Sequence, residues 1–222
     1  MFKNFLLTGV FLAMVFLPSP AQAVFIVDTG APGVGLPGWN LEQGFQEGVA
    51  GAFDIDQAYV IDGIQGWFQD SAGSIIILSP ALPFNGTVTL SLYGAAKDFA
   101  NGDIPDITKK FYTTEFNVSP GTGANWYGAS GLDWSLTDPG KYFAAFELLS
   151  GNTCGGYLPF PAPTVINGAS RQSKSDDYLS IVGIGIGLRV DARTPPVSAV
   201  PEPISMLLFG TGCLGMAALR KI

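Results

Sequence analysis

The side chains with catalytic potential in this sequence are carboxylates, because its 222 residues include no histidine. Without an imidazole base, Ser-His-Asp and Cys-His catalysis are excluded. Two carboxylates at a set separation can hydrolyse a glycosidic bond. The acids that could form such a pair are Asp54, Asp56, Asp62, Asp70, Glu115 and Glu147. Because their spacing selects no pair, we expect a protein that is not an enzyme, with a two-carboxylate glycoside hydrolase as an alternative.

A turn-rich acidic stretch offers oxygen ligands to a cation. Residues 101–106 contain an amide and the carboxylates of Asp103 and Asp106, and calcium prefers ligands of this kind. Their spacing does not match an EF-hand, and ordinary Asn-Gly and Pro-Asp turns explain them without a metal. We therefore expect no metal and no other cofactor, with Asp103 and Asp106 as weak calcium candidates.

Two of the four tryptophans lie in or directly after a Gly- and Pro-rich stretch, where an aromatic ring is often exposed. Trp39 stands between Gly38 and Asn40, and Trp126 follows Asn125. An exposed indole can stack on a sugar, although most tryptophans in an apolar domain belong to its core. Trp39 and Trp126 are therefore candidate glycan contacts, with burial in the core as the alternative.

The middle of the chain contains one cysteine, Cys154, because Cys213 belongs to the C-terminal segment. A single cysteine cannot form an internal disulfide, and no histidine is present to activate it. We expect Cys154 to be an unpaired thiol in a glycine-rich loop, with an intermolecular disulfide as the alternative.

The charge balance argues against a nucleic-acid partner. The chain has 18 acidic and 11 basic side chains, a net charge of −7, and only 13% charged residues. Nucleic-acid phosphates require clustered lysine and arginine, which this sequence lacks.

The middle of the chain alternates apolar and polar residues with the period of a β-strand. After an Asn-Gly turn signal, for example, Val88, Leu90 and Leu92 alternate with Thr89 and Ser91. Many short strands separated by Gly, Pro and Asn turns predict an all-β sandwich or barrel. The predicted strands cover residues 24–28, 49–54, 58–69, 74–78, 87–93, 111–118, 126–136, 141–149 and 178–191.

The last predicted strand changes its alternation. The apolar positions switch by one residue between Ile181 and Val182, which predicts a β-bulge. Gly183, Gly185 and Gly187 leave one face without side chains, and we expect an aromatic ring of a neighbouring strand to cover them rather than a sugar.

The N-terminal segment has the three zones of a secretory signal peptide. Lys3 precedes an apolar run over residues 5–17, and Ala21 and Ala23 form an A-x-A site. We expect signal peptidase to cleave before Val24.

The C-terminal segment has the composition of a short membrane helix. An apolar run over residues 204–219 is followed at once by Arg220 and Lys221. Sixteen residues of helix extend about 24 Å, and the two cations can reach further by snorkelling. We expect Arg220 and Lys221 to stay on the cytoplasmic side of the inner membrane, with the middle of the chain outside.

Pro201, Glu202 and Pro203, followed by the apolar run and the basic pair, resemble the PEP-CTERM sorting signal of bacterial surface proteins. The resemblance implies recognition by exosortase, a membrane-embedded cysteine transpeptidase, with cleavage near the Pro-Glu-Pro motif and a Gram-negative host. A plain membrane anchor is the alternative. Residues 126–134 and 140–147 are similar to paired strands of jelly-roll-like β-sandwiches in such exported proteins.

We therefore expect a signal peptide over residues 1–23, a jelly-roll-like β-sandwich over 24–190, a linker over 191–199 and a sorting segment over 200–222. The expected function is that of a non-enzymatic surface or extracellular-matrix protein with a structural or adhesive role linked to exopolysaccharide or biofilm. A carbohydrate-binding module that uses an exposed tryptophan is the alternative.

Overall fold

The structure, a computed structural model, describes residues 23–30, 37–41, 46–68, 86–100, 102–118, 125–151, 154–157, 168–173, 176–181 and 186–195. Within these ranges the chain forms twelve β-strands. They are β1 (Val24–Asp28), β2 (Pro37–Leu41), β3 (Gly48–Ile55), β4 (Tyr59–Phe68), β5 (Gly86–Lys97), β6 (Asp103–Val118), β7 (Asn125–Leu136), β8 (Gly140–Gly151), β9 (Cys154–Tyr157), β10 (Gly168–Arg171), β11 (Leu179–Ile181) and β12 (Leu188–Arg193).

Two antiparallel sheets pack as a sandwich, which confirms the predicted all-β fold. One sheet has the strand order β1-β12-β4-β7, and the other has the order β11-β10-β3-β8-β5-β6. Strands β2 and β9 form a separate two-stranded sheet. All of these strands belong to the compact unit Gln22–Arg193. No helix in the described part of the chain is long and apolar enough to cross a membrane.

The main core lies between the two sheets. In β8, every second residue faces this core and is buried in it. These residues are Tyr142, Ala144, Phe146 and Leu148. Large aliphatic and aromatic side chains from β3, β4, β5 and β12 fill the same layer. Burial of such side chains is the main favourable contribution to folding.

A second, smaller core covers the outer face of the six-stranded sheet. Phe143 and Ala145 of β8 are buried there under Tyr93, Ile104 and Tyr178. Strand β8 is therefore buried on both faces.

The first strand of the sandwich begins at the same end of the sandwich at which the last strand finishes. β1 and β12 are antiparallel partners, with Val24 opposite Ala192. Short connections over residues 56–58 and 137–139 join the two sheets at this end, since Tyr59 pairs with Leu136 and Ile55 with Gly140. We call it the tail end.

The opposite end of the sandwich, which we call the far end, is where β4, β6 and β8 finish and where β5 and β7 begin. Its position follows from the register. Phe68 pairs with Asn125, while Gly86 lies between Val118 and Gly151.

The structure corrects the prediction of one bulged strand over residues 178–191. β11 ends at Ile181 in the six-stranded sheet, and β12 begins at Leu188 in the four-stranded sheet. The switch in apolar alternation near Ile181 and Val182 therefore marks a change of sheet. In the four-stranded sheet, β12 extends to Arg193 and so includes the first residues of the sequence that we expected to be a linker.

The loop assignments of Trp39 and Cys154 were also wrong. Trp39 lies in β2 and Cys154 in β9, and the two strands pair with Leu41 opposite Cys154 and Trp39 opposite Gly156. Their glycine-rich sequences hid the pairing, because glycine is depleted in strands. The predicted strand over residues 74–78 lies outside the described residues.

Candidate functional site

Trp126 lies at the start of β7, on the outer face of the four-stranded sheet. It is partly buried, and its ring centroid lies 5.1 Å from that of Trp67, its cross-strand partner, in an edge-on arrangement. The guanidinium carbon of Arg189 lies 4.2 Å from the centroid of the Trp126 ring. We call Trp67, Trp126 and Arg189 the tryptophan cluster.

Trp67 is positioned by Gly187, the last of the three glycines that we expected an aromatic ring to cover. Its backbone N–H donates to the carbonyl of Gly187 at 2.9 Å. A Cβ atom built on Gly187 would lie 2.6 Å from the Cβ of Trp67, so only glycine allows this approach. An aromatic side chain thus covers Gly187, as we expected, whereas Gly183 and Gly185 lie outside the described residues.

Arg189 is held by a carboxylate of the neighbouring strand. Its Nε atom donates to Oδ1 of Asp28 at 3.0 Å, and its guanidinium carbon also lies 5.6 Å from the ring centroid of Phe25. Burial raises the pKa of Asp28, but the hydrogen bonds from Arg189 and from the Gly30 N–H, with the arginine charge, outweigh it and lower the pKa. The arginine is therefore charge-neutralised where it packs against the indole.

Asp191 lies beside this pair on β12, over a glycine of β4. A Cβ atom on Gly63 would lie 3.1 Å from Oδ2 of Asp191. Burial raises the pKa of Asp191, Arg189 lowers it, and Asp28 raises it further, so the pKa is raised overall. Asp191 thus has an environment that favours the neutral acid more than that of Asp28 does.

The two weak calcium candidates bind cationic or hydroxyl groups of the chain itself. Asp103 accepts a hydrogen bond from Lys141 at 2.7 Å and pairs with Lys97 at 2.5 Å, and these two lysines lower its pKa. Asp106 accepts from the Thr108 hydroxyl at 2.6 Å, which lowers its pKa despite partial burial. Among the described residues, no group of three His, Cys, Asp or Glu side chains could hold a metal ion.

Four of the carboxylates considered for hydrolysis lie on surfaces of the sandwich. Asp54 and Asp56 are exposed and, with Val24, Phe25 and Tyr59 among others, line a depression of about 360 Å³ at the tail end. Asp62 pairs with Arg193, and Glu115 is exposed on β6. Asp70 lies outside the described residues.

Glu147, the remaining carboxylate of that set, is only 4% exposed on β8. Its Oε1 atom accepts from the hydroxyl of Tyr178 at 2.9 Å and from that of Tyr93 at 3.0 Å, and it lies 2.8 Å from Nη2 of Arg171. Its Oε2 atom accepts from the Ser91 hydroxyl at 3.1 Å. We call these five residues the Glu147 network.

The pKa values of both tyrosines in the Glu147 network are raised. Burial, the Glu147 charge and the hydrogen bond to it raise the pKa of Tyr178 well above its ordinary value, against the opposing effect of Arg171. Burial and the Glu147 charge also raise the pKa of Tyr93. Both phenols therefore remain donors to the carboxylate at neutral pH.

Sequence reasoning listed Glu147 but missed its four partners. The signal that could have indicated burial is the composition of its own face of β8, where Phe143 and Ala145 are apolar. An acid on a face with two apolar neighbours indicates that something covers that face. The covering segments come from β5, β10 and the residues before β11, and alternation alone does not identify them.

The model of the PEP-CTERM protein-sorting motif matches residues 199–221. None of the curated proteins matches the chain. Among solved structures, the chain is similar to "The crystal structure of the cysteine protease and lectin-like domains of Cwp84, a surface layer associated protein of Clostridium difficile", with 10% sequence identity and a TM-score of 0.40. That alignment covers 68% of this chain and 32% of the other, so this chain spans about a third of its length.

The matched residues contain Pro201, Glu202 and Pro203 and the basic pair Arg220 and Lys221, which lie outside the described part of the structure. The match confirms the family resemblance of this segment. The chain carries a PEP-CTERM sorting motif, which implies an exported, cell-surface-sorted protein that exosortase processes.

Proposed function

We propose that this protein is a non-enzymatic component of the cell surface or extracellular matrix, with a structural or adhesive role linked to exopolysaccharide or biofilm. The observation that carries the proposal is the sorting motif over residues 199–221. Signal peptidase removes residues 1–23, the C-terminal segment enters the inner membrane, and exosortase acts near Pro201, Glu202 and Pro203. The sandwich is then delivered outside the cell.

The partners of Glu147 and Asp62 support the non-enzymatic part of the proposal. A two-carboxylate hydrolase needs one acid to protonate the substrate and a second carboxylate about 5 to 9 Å away. Both oxygens of Glu147 already accept hydrogen bonds from Ser91, Tyr93 and Tyr178, and its side chain is buried. Asp62 is paired with Arg193.

A second candidate function is carbohydrate binding through Trp126. The specific observation in its favour is the partly exposed Trp126, whose ring packs against Trp67 and Arg189. Trp39, the other candidate, lies in β2, and its side chain is outside the described residues.

The test uses the full chain in a Gram-negative host that has an exosortase. In one variant Pro201, Glu202 and Pro203 are all replaced by Ala, and in a matched control Pro195 and Pro196 are replaced by Ala. We expect the motif variant to accumulate in the inner membrane, while the control reaches the surface like the unchanged chain. Equal surface delivery of both variants would overturn the proposal.

The structural role has its own readout. Cells that lack the chain are expected to retain less exopolysaccharide and to form less biofilm, and the Pro195/Pro196 control is expected to restore both. The purified full chain should release no new reducing ends from the same exopolysaccharide, and their release would overturn the non-enzymatic part of the proposal.

A further inference from the structure

The two ends of the sandwich differ in their distance from the sorting tail along the chain. The last described strand, β12, runs toward the tail end and finishes at Arg193, close to the sorting motif in sequence. Val24 pairs with Ala192, so a signal peptide cleaved before Val24 also leaves the sandwich at the tail end. Any attachment through the C-terminus that exosortase leaves near Pro201, Glu202 and Pro203 therefore acts on this end.

The sandwich is long enough for this polarity to matter. β8 has 12 residues and runs from Gly140 at the tail end to Gly151 at the far end. At about 3.3 Å per residue, its ends are roughly 36 Å apart. The connections over residues 56–58 and 137–139 lie at the tail end. A surface at the far end would therefore lie further from the point of attachment than these connections, by the length of β8.

The tryptophan cluster lies on the four-stranded sheet next to the far end. Trp67 and Trp126 are paired immediately beside the terminal pair of Phe68 and Asn125. Arg189 follows Leu188, the first residue of β12, which also begins near this end.

The geometry points to the far end, with the tryptophan cluster at its rim, as the surface through which this protein contacts neutral polysaccharide. This inference rests on the proposed function, because it assumes that the sandwich is displayed outside the cell through the C-terminus that exosortase leaves. It adds the surface and the class of ligand.

The cluster suits a sugar because its indole is already fixed. Arg189 packs against the Trp126 ring and is itself held by Asp28, so little side-chain freedom is lost when a ligand binds. The exposed part of Trp126 offers apolar surface beside Arg189 to the C–H groups of a sugar ring. Carboxylate and guanidinium groups beside it can hydrogen-bond to sugar hydroxyls.

The charge of the chain argues against an anionic polymer. The Arg189 charge is neutralised by Asp28, and the chain as a whole has a net charge of −7. An anionic polysaccharide would be repelled by this field, whereas a neutral one is unaffected by it.

The binding experiment uses the purified full chain with dextran and hydroxyethylcellulose as neutral probes and alginate as the anionic probe. We expect Trp126→Ala to weaken binding of a neutral probe about tenfold, because truncation of a central aromatic anchor has an effect of this size. Trp126→Phe should retain most of the affinity, which separates loss of the ring from loss of the fold.

Phe99→Ala is the matched control, because Phe99 is an exposed aromatic residue in the connection between β5 and β6, at the end of β5 opposite to the far end. It should bind like the unchanged chain. No binding of either neutral probe, tighter binding of alginate, or an equal loss in Phe99→Ala and Trp126→Ala would each overturn the inference.

Polarity is tested on intact cells, with Cys154 and Cys213 replaced by Ser in every variant. Gln57→Cys places a thiol on the tail-end connection and Gln172→Cys places one beside the far end, and both positions are exposed. With labelling of the purified chain as the reference, we expect a bulky maleimide polymer to label the Gln172 variant about threefold faster on cells. Equal or reversed rates would overturn the inference, whereas absence of the chain from the surface would instead contradict the proposed function.

Discussion

The Nη2 atom of Arg171 lies 2.8 Å from Oε1 of Glu147, although β3 separates the strands that carry these residues. Gly48 of β3 stands between them, opposite Glu147 on one side and Arg171 on the other. Because Gly48 has no side chain, the arginine can extend over it. The ion pair therefore joins β8 and β10 across β3, at the outer face of the six-stranded sheet.

Replacing Glu147 by Gln is expected to destabilise the fold by about 3 kcal/mol, because it removes the carboxylate of a buried ion pair with Arg171. Chemical denaturation of the full chain measures the difference. The control is Glu115→Gln, an exposed position on β6, which should change stability by less than about 0.5 kcal/mol. Equal effects of the two substitutions would show that the Glu147 network contributes little.

Gly48→Ala is expected to cost about 1–3 kcal/mol through overpacking. The added Cβ would lie 2.8 Å from the Tyr178 hydroxyl oxygen and 3.1 Å from Cγ of Arg171. Tyr178→Phe removes the closer of these atoms, so the double variant should be more stable than the sum of the two single effects predicts. Strict additivity in denaturation experiments would contradict the contact.

Stability should fall as the pH rises above about 10. The pKa values of Tyr93 and Tyr178 are raised in the folded state, so the unfolded chain loses these protons first. Their contribution is present below the unfolded pKa and is lost as the pH rises toward the folded one. The melting temperature measured from pH 8 to 11.5 should fall less steeply in Tyr178→Phe, and an identical slope would contradict this account.

Acid should remove the stabilisation that Asp103 provides. Its pKa is lowered by Lys141 and Lys97, so its contribution is present above the unfolded pKa near 3.8 and is lost as the pH falls through the folded value. Asp103→Asn should reduce the loss of melting temperature between pH 5 and 2.5. Asp138→Asn is the control, because Asp138 is exposed in the connection over residues 137–139. This variant should lose as much melting temperature over the same pH range as the unchanged chain.

The predictability of the strands depended on their composition. β5 and β8 were predicted within a few residues, because large apolar residues alternate there with polar ones or follow a turn signal. β2 and β9 were missed because Gly38, Gly155 and Gly156 make their sequences read as loops. These two strands form because they pair with each other. Since the paired residues lie far apart in the sequence, the local composition of each strand does not predict the pairing.

The change of sheet between β11 and β12 shows a second limit. A one-residue switch in alternation is compatible with a bulge or with the end of a strand, and the sequence contains no feature that separates the two. The structure decides because Leu179 pairs with Ser170 while Leu188 pairs with Gly66.

The chemistry of the candidate sites was predictable only as an inventory of residues. Trp126, Asp103 and Glu147 were each named, but their partners Arg189, Lys97 and Tyr178 lie far away in sequence. Side-chain partners of this kind follow from strand order and register. The sorting motif, by contrast, was predictable because its elements are consecutive in the chain.

The central claim, export and sorting through the C-terminal segment, is tested most directly by the intact mass and both terminal sequences of the protein recovered from the native cell surface. The account predicts an N-terminus at Val24 and a C-terminus near Pro201, Glu202 and Pro203. An N-terminus far from Val24 would contradict the signal peptide, and a chain that still ends in Ile222 would contradict processing by exosortase.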